Sequence, residues 1–389
     1  MSITTDRSQV SLLRRDRKFR PDWLLLISYM ALSALGLMMI YTASAPRLEA
    51  LGASPTRELE QQAAFVLIGF MAFGVVSLIS MATIRPWASA IYLGSIVTLV
   101  LVLSPLGSSV KGAQRWMQLG PIRFQPSEIA KLAVILALAA LLSAAAKPMR
   151  WDRVARAVGL VALPAVLIFL QPDLGTMLTF GFIAGVMIFV AGATWRQVAA
   201  LVVAGLIGTV GLFQVGAIKE YQITRLTAFL DPVSDVLNTQ YNQYQSQIAI
   251  GTGGLFGKGL FNGTQTNLRF VPEQSSDFIF TAVGEQLGFV GSLLVLVLFG
   301  IMIWRVLVSA ANAATRFGQL VATGVAALLA FHVFVNIGMT VRLMPVTGLP
   351  LPFMSSGGTV FVMMSVALGL AHSTWLRRPT LPIERSTAS

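Results

Sequence analysis

Arg269 to Gly291 reads RFVPEQSSDFIFTAVGEQLGFVG, and its two halves obey different rules. Up to Asp277 it is polar and closes a long hydrophilic stretch. From Phe278 it turns apolar and stays so to Trp304, with Glu285 as the one charge inside. A run of that length spans a bilayer as a helix, satisfying its own backbone hydrogen bonds. Asp277 therefore sits at a membrane boundary, where desolvating a carboxylate is costly unless the group is partnered or functional. That placement makes it the first candidate for a catalytic base, with Glu273 one turn before it. Ser275 and Ser276 precede it, so a helix N-cap is the competing reading; the two are compatible.

The whole chain follows the same division. It has 389 residues, 55% hydrophobic and only 11% charged, which is not the composition of a soluble domain. Apolar runs fall at about 22–41, 62–80, 86–104, 126–146, 154–170, 174–192, 197–216, 279–304, 318–341 and 353–375, which predicts an all-α membrane protein of ten spans. The expected organisation is one polytopic domain over 22–376, between cytoplasmic tails at 1–21 and 377–389. Ala43-Ser44-Ala45 resembles a signal-peptidase site, but the preceding run is long and many spans follow, so it reads as a retained anchor.

With the N-terminus inside, the cytoplasmic side receives the basic tail, Arg85, Lys147, Arg150, Arg153, Arg156, Arg196, Arg305, Arg316, Arg377 and Arg378. Fewer cations fall outside, which favours N-in and C-in. The loop at about 217–278, between spans 7 and 8, then lies outside with Asp277. Six tryptophans fall at the cytoplasmic helix ends as interfacial anchors. Trp116 is the exception: it lies in the outer loop GAQRWMQLGPIRFQPSE, as a substrate platform or an outer anchor.

Several classes drop out. There are no cysteines, so thiolate chemistry and a Cys-ligated metal are excluded, and with only two histidines, both in apolar runs, a metal ligated by His is not expected. A hard cation held by carboxylates and substrate phosphates stays open. The net charge of +12 matches membrane orientation rather than nucleic acid, and no nucleic-acid module is present. GTGGLFGKG lacks P-loop spacing. The outer face collects Lys111, Arg115, Arg123, Lys131, Lys219, Arg225, Lys258, Arg269 and Arg342, which suit a lipid diphosphate. Glu128 and Lys131 share a helical face, so a structural ion pair is the plain reading there. In residues 336–361 three prolines, with Gly348, Gly357 and Gly358, break the helical pattern between the last two spans, either a re-entrant turn or one wall of a cavity.

The segments KGAQRWMQLGPIRFQPSEIAKLA, QPDLGT, RLTAFLDP, QSQIAIGTGGLFGKGLFNGTQ, FVPEQSSDFIF, GEQLGFVG and NIGMTVRLMPVTGLPLPF together resemble the SEDS family (shape, elongation, division and sporulation). The resemblance covers roughly 111–361, and GTQTNLRFVPE and NIGMT look more like its RodA elongation branch than its FtsW division branch. It implies a peptidoglycan glycosyltransferase polymerising lipid II, with a class B penicillin-binding protein as partner. The family's essential aspartate falls on Asp277, its loop tryptophan on Trp116, and its QPSE-x-x-K pair on Glu128 and Lys131. Two departures stand out: Ser275-Ser276 where the family commonly has His-Thr, and Ser356 where it commonly has Tyr.

The expected chemistry is inverting glycosyl transfer. Asp277 deprotonates an acceptor hydroxyl, which displaces undecaprenyl diphosphate from the donor. Arg115, Lys131, Arg225 and Arg269 are the candidates for the diphosphates, with a divalent cation (Mg or Mn) as a possible aid. The rival classes are a lipid II flippase, a division-type polymerase and a scaffold without chemistry.

Overall fold

The computed structural model describes residues 20–110, 113–120, 122–145, 148–214, 216, 241–268 and 270–379. Nearly all of the basic N-terminal tail lies outside these residues, as do Lys111, Lys147, Lys219, Arg225 and Arg269. The described chain folds into helices α1 (Trp23–Ala50), α2 (Arg57–Leu78), α3 (Met81–Leu103), α4 (Pro126–Leu142), α5 (Trp151–Leu170) and α6 (Leu174–Ala191). They are followed by α7 (Trp195–Gln214), α8 (Tyr241–Thr252), α9 (Thr264–Asn267), α10 (Ile279–Ala311), α11 (Arg316–Thr340) and α12 (Gly358–Leu376).

Nine of these helices are long and apolar enough to cross a membrane, and they coincide with nine of the ten expected spans. The tenth, α4, has only 17 residues. At 1.5 Å per residue it is about 25 Å long, short of a hydrocarbon core of about 30 Å. Protein surrounds it: nearly every residue of α4 is buried, so it has no lipid thickness to match. The chain is a multi-pass membrane protein. α11 is its axis, with 78% of its most apolar window buried, whereas α7 is peripheral at 6%. α10 packs between α1 and α11, and α2 packs along α12.

Two boundaries move for identifiable reasons. α1 runs on through Ala43-Ser44-Ala45 and Pro46 to Ala50, with Thr42, Ser44, Ala45 and Leu48 buried. α12 starts at Gly358 rather than near 353, because residues 351–357 turn against α1. A Cβ on Gly36 would lie 2.6 Å from the Phe353 carbonyl oxygen, so only glycine permits this approach.

The glycine-rich GTGGLFGKG segment is a docking device for a broken helix. α10 is interrupted at Gly288, whose φ of 66° and ψ of −161° are non-helical. A break frees backbone groups that need partners at membrane depth. The segment supplies them: Lys258 N donates to Glu285 O (3.0 Å) and Gly259 N to Gln286 O (3.1 Å), while Gly254 O and Leu255 O accept from Phe289 N (2.9 Å) and Val290 N (3.1 Å). Gly257, at φ 79°, lies so close that a Cβ would sit 2.1 Å from Gln286 O.

The loop around Trp116 is not irregular. It forms an antiparallel sheet in the order β1 (Gly107–Val110), β2 (Ala113–Leu119), β3 (Ile122–Phe124). Leu119 pairs with Ile122, and Gly120, which follows Leu119, has φ 61°. At the opposite end of the bundle, Arg305 Nε donates to both Asp22 oxygens (3.0 and 2.9 Å) and its guanidinium lies 4.7 Å over the Trp375 ring. Trp23, Trp151 and Trp195 are exposed at the first position of their helices, and Trp87 and Trp304 are exposed about two turns inside theirs, so all five suit interfacial anchors.

Candidate active site

Asp277 ends a helical turn over 272–278, its amide donating to Glu273 O (3.1 Å). The N-cap position of α10 is Phe278, so Asp277 is not the cap that its place in the sequence allowed. Its carbonyl accepts from Asn336 Nδ2 at 2.8 Å. The half-buried carboxylate faces Gly348: Oδ2 lies 3.6 Å from where a Cβ on that residue would be.

Its neighbours Glu273, Ser275 and Ser276, but not Asp277 itself, line a groove of three adjoining hollows of about 360, 330 and 480 Å³. Glu58, Glu273 and Ser275 line both the first and the second, and Gln61, Phe65, Gly357 and Gly358 both the second and the third. One helical face of α2 forms a wall, because Arg57, Gln61 and Phe65 recur every four residues. The sheet forms another. Side chains alternate along a strand, so Trp116 and Gln118 enter the groove together, and Arg123 joins them from β3 opposite Gln118. The groove thus offers an aromatic face, amides, hydroxyls, two carboxylates and three arginines (Arg47, Arg57 and Arg123), of which Arg47 pairs with Glu58 at 3.4 Å.

The departures from the family pattern meet here. Ser275, Ser276 and Ser356 line the middle hollow together, and Ser356 N donates to Ser275 O at 2.8 Å. Small hydroxyl side chains stand on both sides of the space where the pattern places rings.

Arg115 faces away from Trp116. Its Nε donates to Gln171 O (2.9 Å), its Nη2 donates to Pro172 O, and Nη1 lies 3.8 Å from Asp173 Oδ2. Asp173 in turn caps α6 through Thr176 N (3.2 Å). This guanidinium bolts β2 to the turn between α5 and α6. Glu128 and Lys131 form the ion pair that their spacing suggested, at 2.7 Å and almost wholly buried. Lys131 Nζ also lies 3.2 Å from His332 Nε2. Lys258 lies 3.4 Å from Glu285, whose fully buried carboxylate accepts from Gln265 N (2.7 Å), Thr266 N (3.0 Å) and Thr266 Oγ1 (2.7 Å). The α9 amide groups and Lys258 are thus spent on an internal anion.

Sequence reasoning missed Arg57, Gln61 and Phe65 as groove residues, and missed His332 and Asn336. A signal was present for each set in the spacing of four, but only His332 and Asn336 stand out from an apolar helix, because α2 opens with the polar stretch RELEQQ.

Relatives match this architecture. A family model described as cell cycle protein, covering FtsW, RodA and SpoVE, matches residues 22–375. Peptidoglycan glycosyltransferase MrdB of Escherichia coli K12 is 41% identical over 321 residues, 81% of this chain and 86% of its own length. A chain from a peptidoglycan synthase complex, studied for its coordination of polymerization and crosslinking, superposes with a TM-score of 0.75 at 30% identity, covering 91% of this chain and 97% of that one. The rod shape determining protein RodA of Thermus thermophilus gives 0.68 at 29% identity, covering 94% and 100%. With a match that runs from the start of α1 to the end of α12, this chain belongs to the FtsW/RodA/SpoVE family.

Proposed function

We propose that this protein is a peptidoglycan glycosyltransferase of the elongation type, polymerising lipid II at the outer face of the cytoplasmic membrane. Its termini lie inside, and the groove and Asp277 outside. The observation that carries the reading is Asp277 itself, fixed through its backbone beside a groove of rings, amides, hydroxyls and arginines. Such a lining suits a sugar diphosphate: rings and amides take saccharide faces and hydroxyls, and guanidinium forks take phosphate.

In the proposed reaction Asp277 accepts the proton of an acceptor sugar hydroxyl as its oxygen attacks the anomeric carbon of the donor. The bond to undecaprenyl diphosphate breaks and configuration inverts, the logic of a carboxylate base with an attacking oxygen. Trp116 and Phe65 supply platforms. Arg57 and Arg123 join Arg225 and Arg269 as the candidates for the diphosphates. Arg115 and Lys131 act from behind: they are engaged by carbonyls, carboxylates and His332, and neither lines the groove. Among the described residues no three His, Asp or Glu side chains converge on a metal position. In this reading a divalent cation comes with the substrate, held by phosphate oxygens and one carboxylate such as Glu273. A class B penicillin-binding protein is the proposed partner.

The test is polymerisation of purified lipid II by the purified protein, with and without a cognate class B penicillin-binding protein. Glycan ladders from wild type that vanish in Asp277→Ala and Asp277→Asn support the reading. Full activity of Asp277→Asn removes the base assignment. No ladder under any condition, with lipid II translocation in liposomes, establishes the flippase instead; neither activity leaves a scaffold.

A further inference from the structure

Residues 343–357 form the wall that the Asp277 carboxylate faces, yet they contain no helix or strand. With prolines at 345, 350 and 352 the segment has few donors of its own. Leu351 O is met within it by Ser355 N at 3.0 Å, but the Leu349 and Pro350 carbonyls are satisfied from outside. Two side chains of α11 do this. Asn336 Nδ2 donates to Leu349 O (2.7 Å) and to Asp277 O (2.8 Å). One turn earlier, His332 Nδ1 lies 3.2 Å from Pro350 O. A carbonyl only accepts, so Nδ1 carries the proton and Nε2 takes a hydrogen from the Lys131 ammonium at 3.2 Å. Lys131 is fixed in turn by Glu128 at 2.7 Å. His332 and Asn336 are both fully buried. Among the described residues the Asn336 oxygen has no hydrogen-bond partner, so the side chain serves through its two N–H donors alone.

We infer that Asn336 and His332 are positioning residues. They tie the Asp277 turn and the proline-rich wall to one rigid helix face and so set the carboxylate against Gly348. Asn336 is the direct rung, because one amide group holds both sides. His332 is the second rung, referring the wall to the buried pair on α4. α11 suits this role because it is the most buried of the nine helices of spanning length among the described residues, so its face is little free to move. On the opposite side Gly175 of α6 lies against the same wall, where a Cβ would be 2.9 Å from Thr347 O. The inference rests on Asp277 being the base, but its geometric content can be measured apart from that.

The test uses the full chain with its penicillin-binding partner and lipid II as substrate. Asn336→Leu keeps the shape and removes both donors. A displacement near 1 Å at a catalytic group costs about 100-fold in rate. The expected result is a kcat lower by about that factor with KM for lipid II within about threefold, since ground-state contacts are untouched. The chain has no cysteine, so spin labels at Pro272→Cys and Leu343→Cys, both exposed positions, report the turn-to-wall distance directly. The distribution is expected to be narrow in the parent and broad with Asn336→Leu. Unchanged kcat, or lost kcat with an unchanged distribution, overturns the proposal. Should Asn336→Leu not fold, the second rung decides. His332→Gln can still donate to Pro350 O and accept from Lys131 and should stay within about threefold of the parent, whereas His332→Leu should lose about tenfold in kcat. Equal activity of the two overturns the proposal. Asp277→Asn, run in parallel, separates the two ideas: if it polymerises, the base reading fails while the spin-label distances still judge the clamp.

Discussion

Replacing Glu285 by glutamine should loosen one segment and leave the bundle intact. Its carboxylate is fully buried and divides its acceptor duties. Oε1 takes Gln265 N (2.7 Å), Thr264 Oγ1 (3.3 Å) and Lys258 Nζ (3.4 Å), while Oε2 takes Thr266 N (3.0 Å) and Thr266 Oγ1 (2.7 Å). An amide must place its NH2 on one side. The better choice is the Oε2 side, where the Thr266 hydroxyl can rotate to accept. Thr266 N–H is then left facing another donor, and the charge assistance to Gln265 and Lys258 is gone. One buried orphaned donor plus weakened charge-assisted bonds amounts to about 2–4 kcal/mol. At 1.4 kcal/mol per decade this is about 30- to 700-fold in a local opening equilibrium. The change belongs to residues 253–268, because their bonds to α10 at Glu285, Gln286, Phe289 and Val290 depend on that docking. Hydrogen–deuterium exchange by mass spectrometry on the full chain in detergent reads it directly, since local opening sets the exchange rate. Peptides from 253–268 should exchange faster by that factor, with α11 unchanged. Unaltered protection would show that packing of the glycine backbone alone holds the segment and that the carboxylate network is incidental.

Other consequences are equally specific. Lys131→Met leaves Glu128 buried and unpaired, so thermal stability should fall by about 3–5 kcal/mol, and Glu128→Gln added to it should restore most of the loss; an additive double variant refutes the coupling. Arg115→Lys cannot reproduce the fork to Gln171 O and Pro172 O, so thermal stability should drop by about 1–3 kcal/mol with KM for lipid II unchanged. A raised KM at native stability would instead put Arg115 on the substrate. Gly257→Ala meets both a left-handed φ and the Gln286 carbonyl, and should cost about 3 kcal/mol or more, seen as lost expression or a lowered melting temperature.

What the sequence made legible follows from what is local. Apolar runs mark spans because lipid imposes one rule on every residue, and nine of the ten appear as helices of spanning length. α4 fails that length because its neighbours are protein, a fact carried by α3, α11 and α12 rather than by its own residues. Asp277 stood out because a carboxylate at a membrane edge is expensive wherever it lies. The cations did not sort themselves. Arg115 and Lys258 look alike among the outer charges, yet each has an interior duty that no spacing rule reports, because its partner is 56 or 27 residues away. The spacing of Lys131 gave its pairing with Glu128 but not its contact with His332, 201 residues away. The groove is non-local in the same way: its walls on α2 and on the sheet, its floor at 273–276 and its rim at 356–360 come from segments far apart in the chain. Yet its members were marked. Arg57, Gln61 and Phe65 repeat at helical spacing, as do His332 and Asn336 in the middle of an apolar span. A polar residue one turn from another in a buried helix carries the same kind of desolvation cost as Asp277 at its edge. His332 and Asn336 are therefore marked by the rule that marks the aspartate, and the clamp they form lies directly behind it.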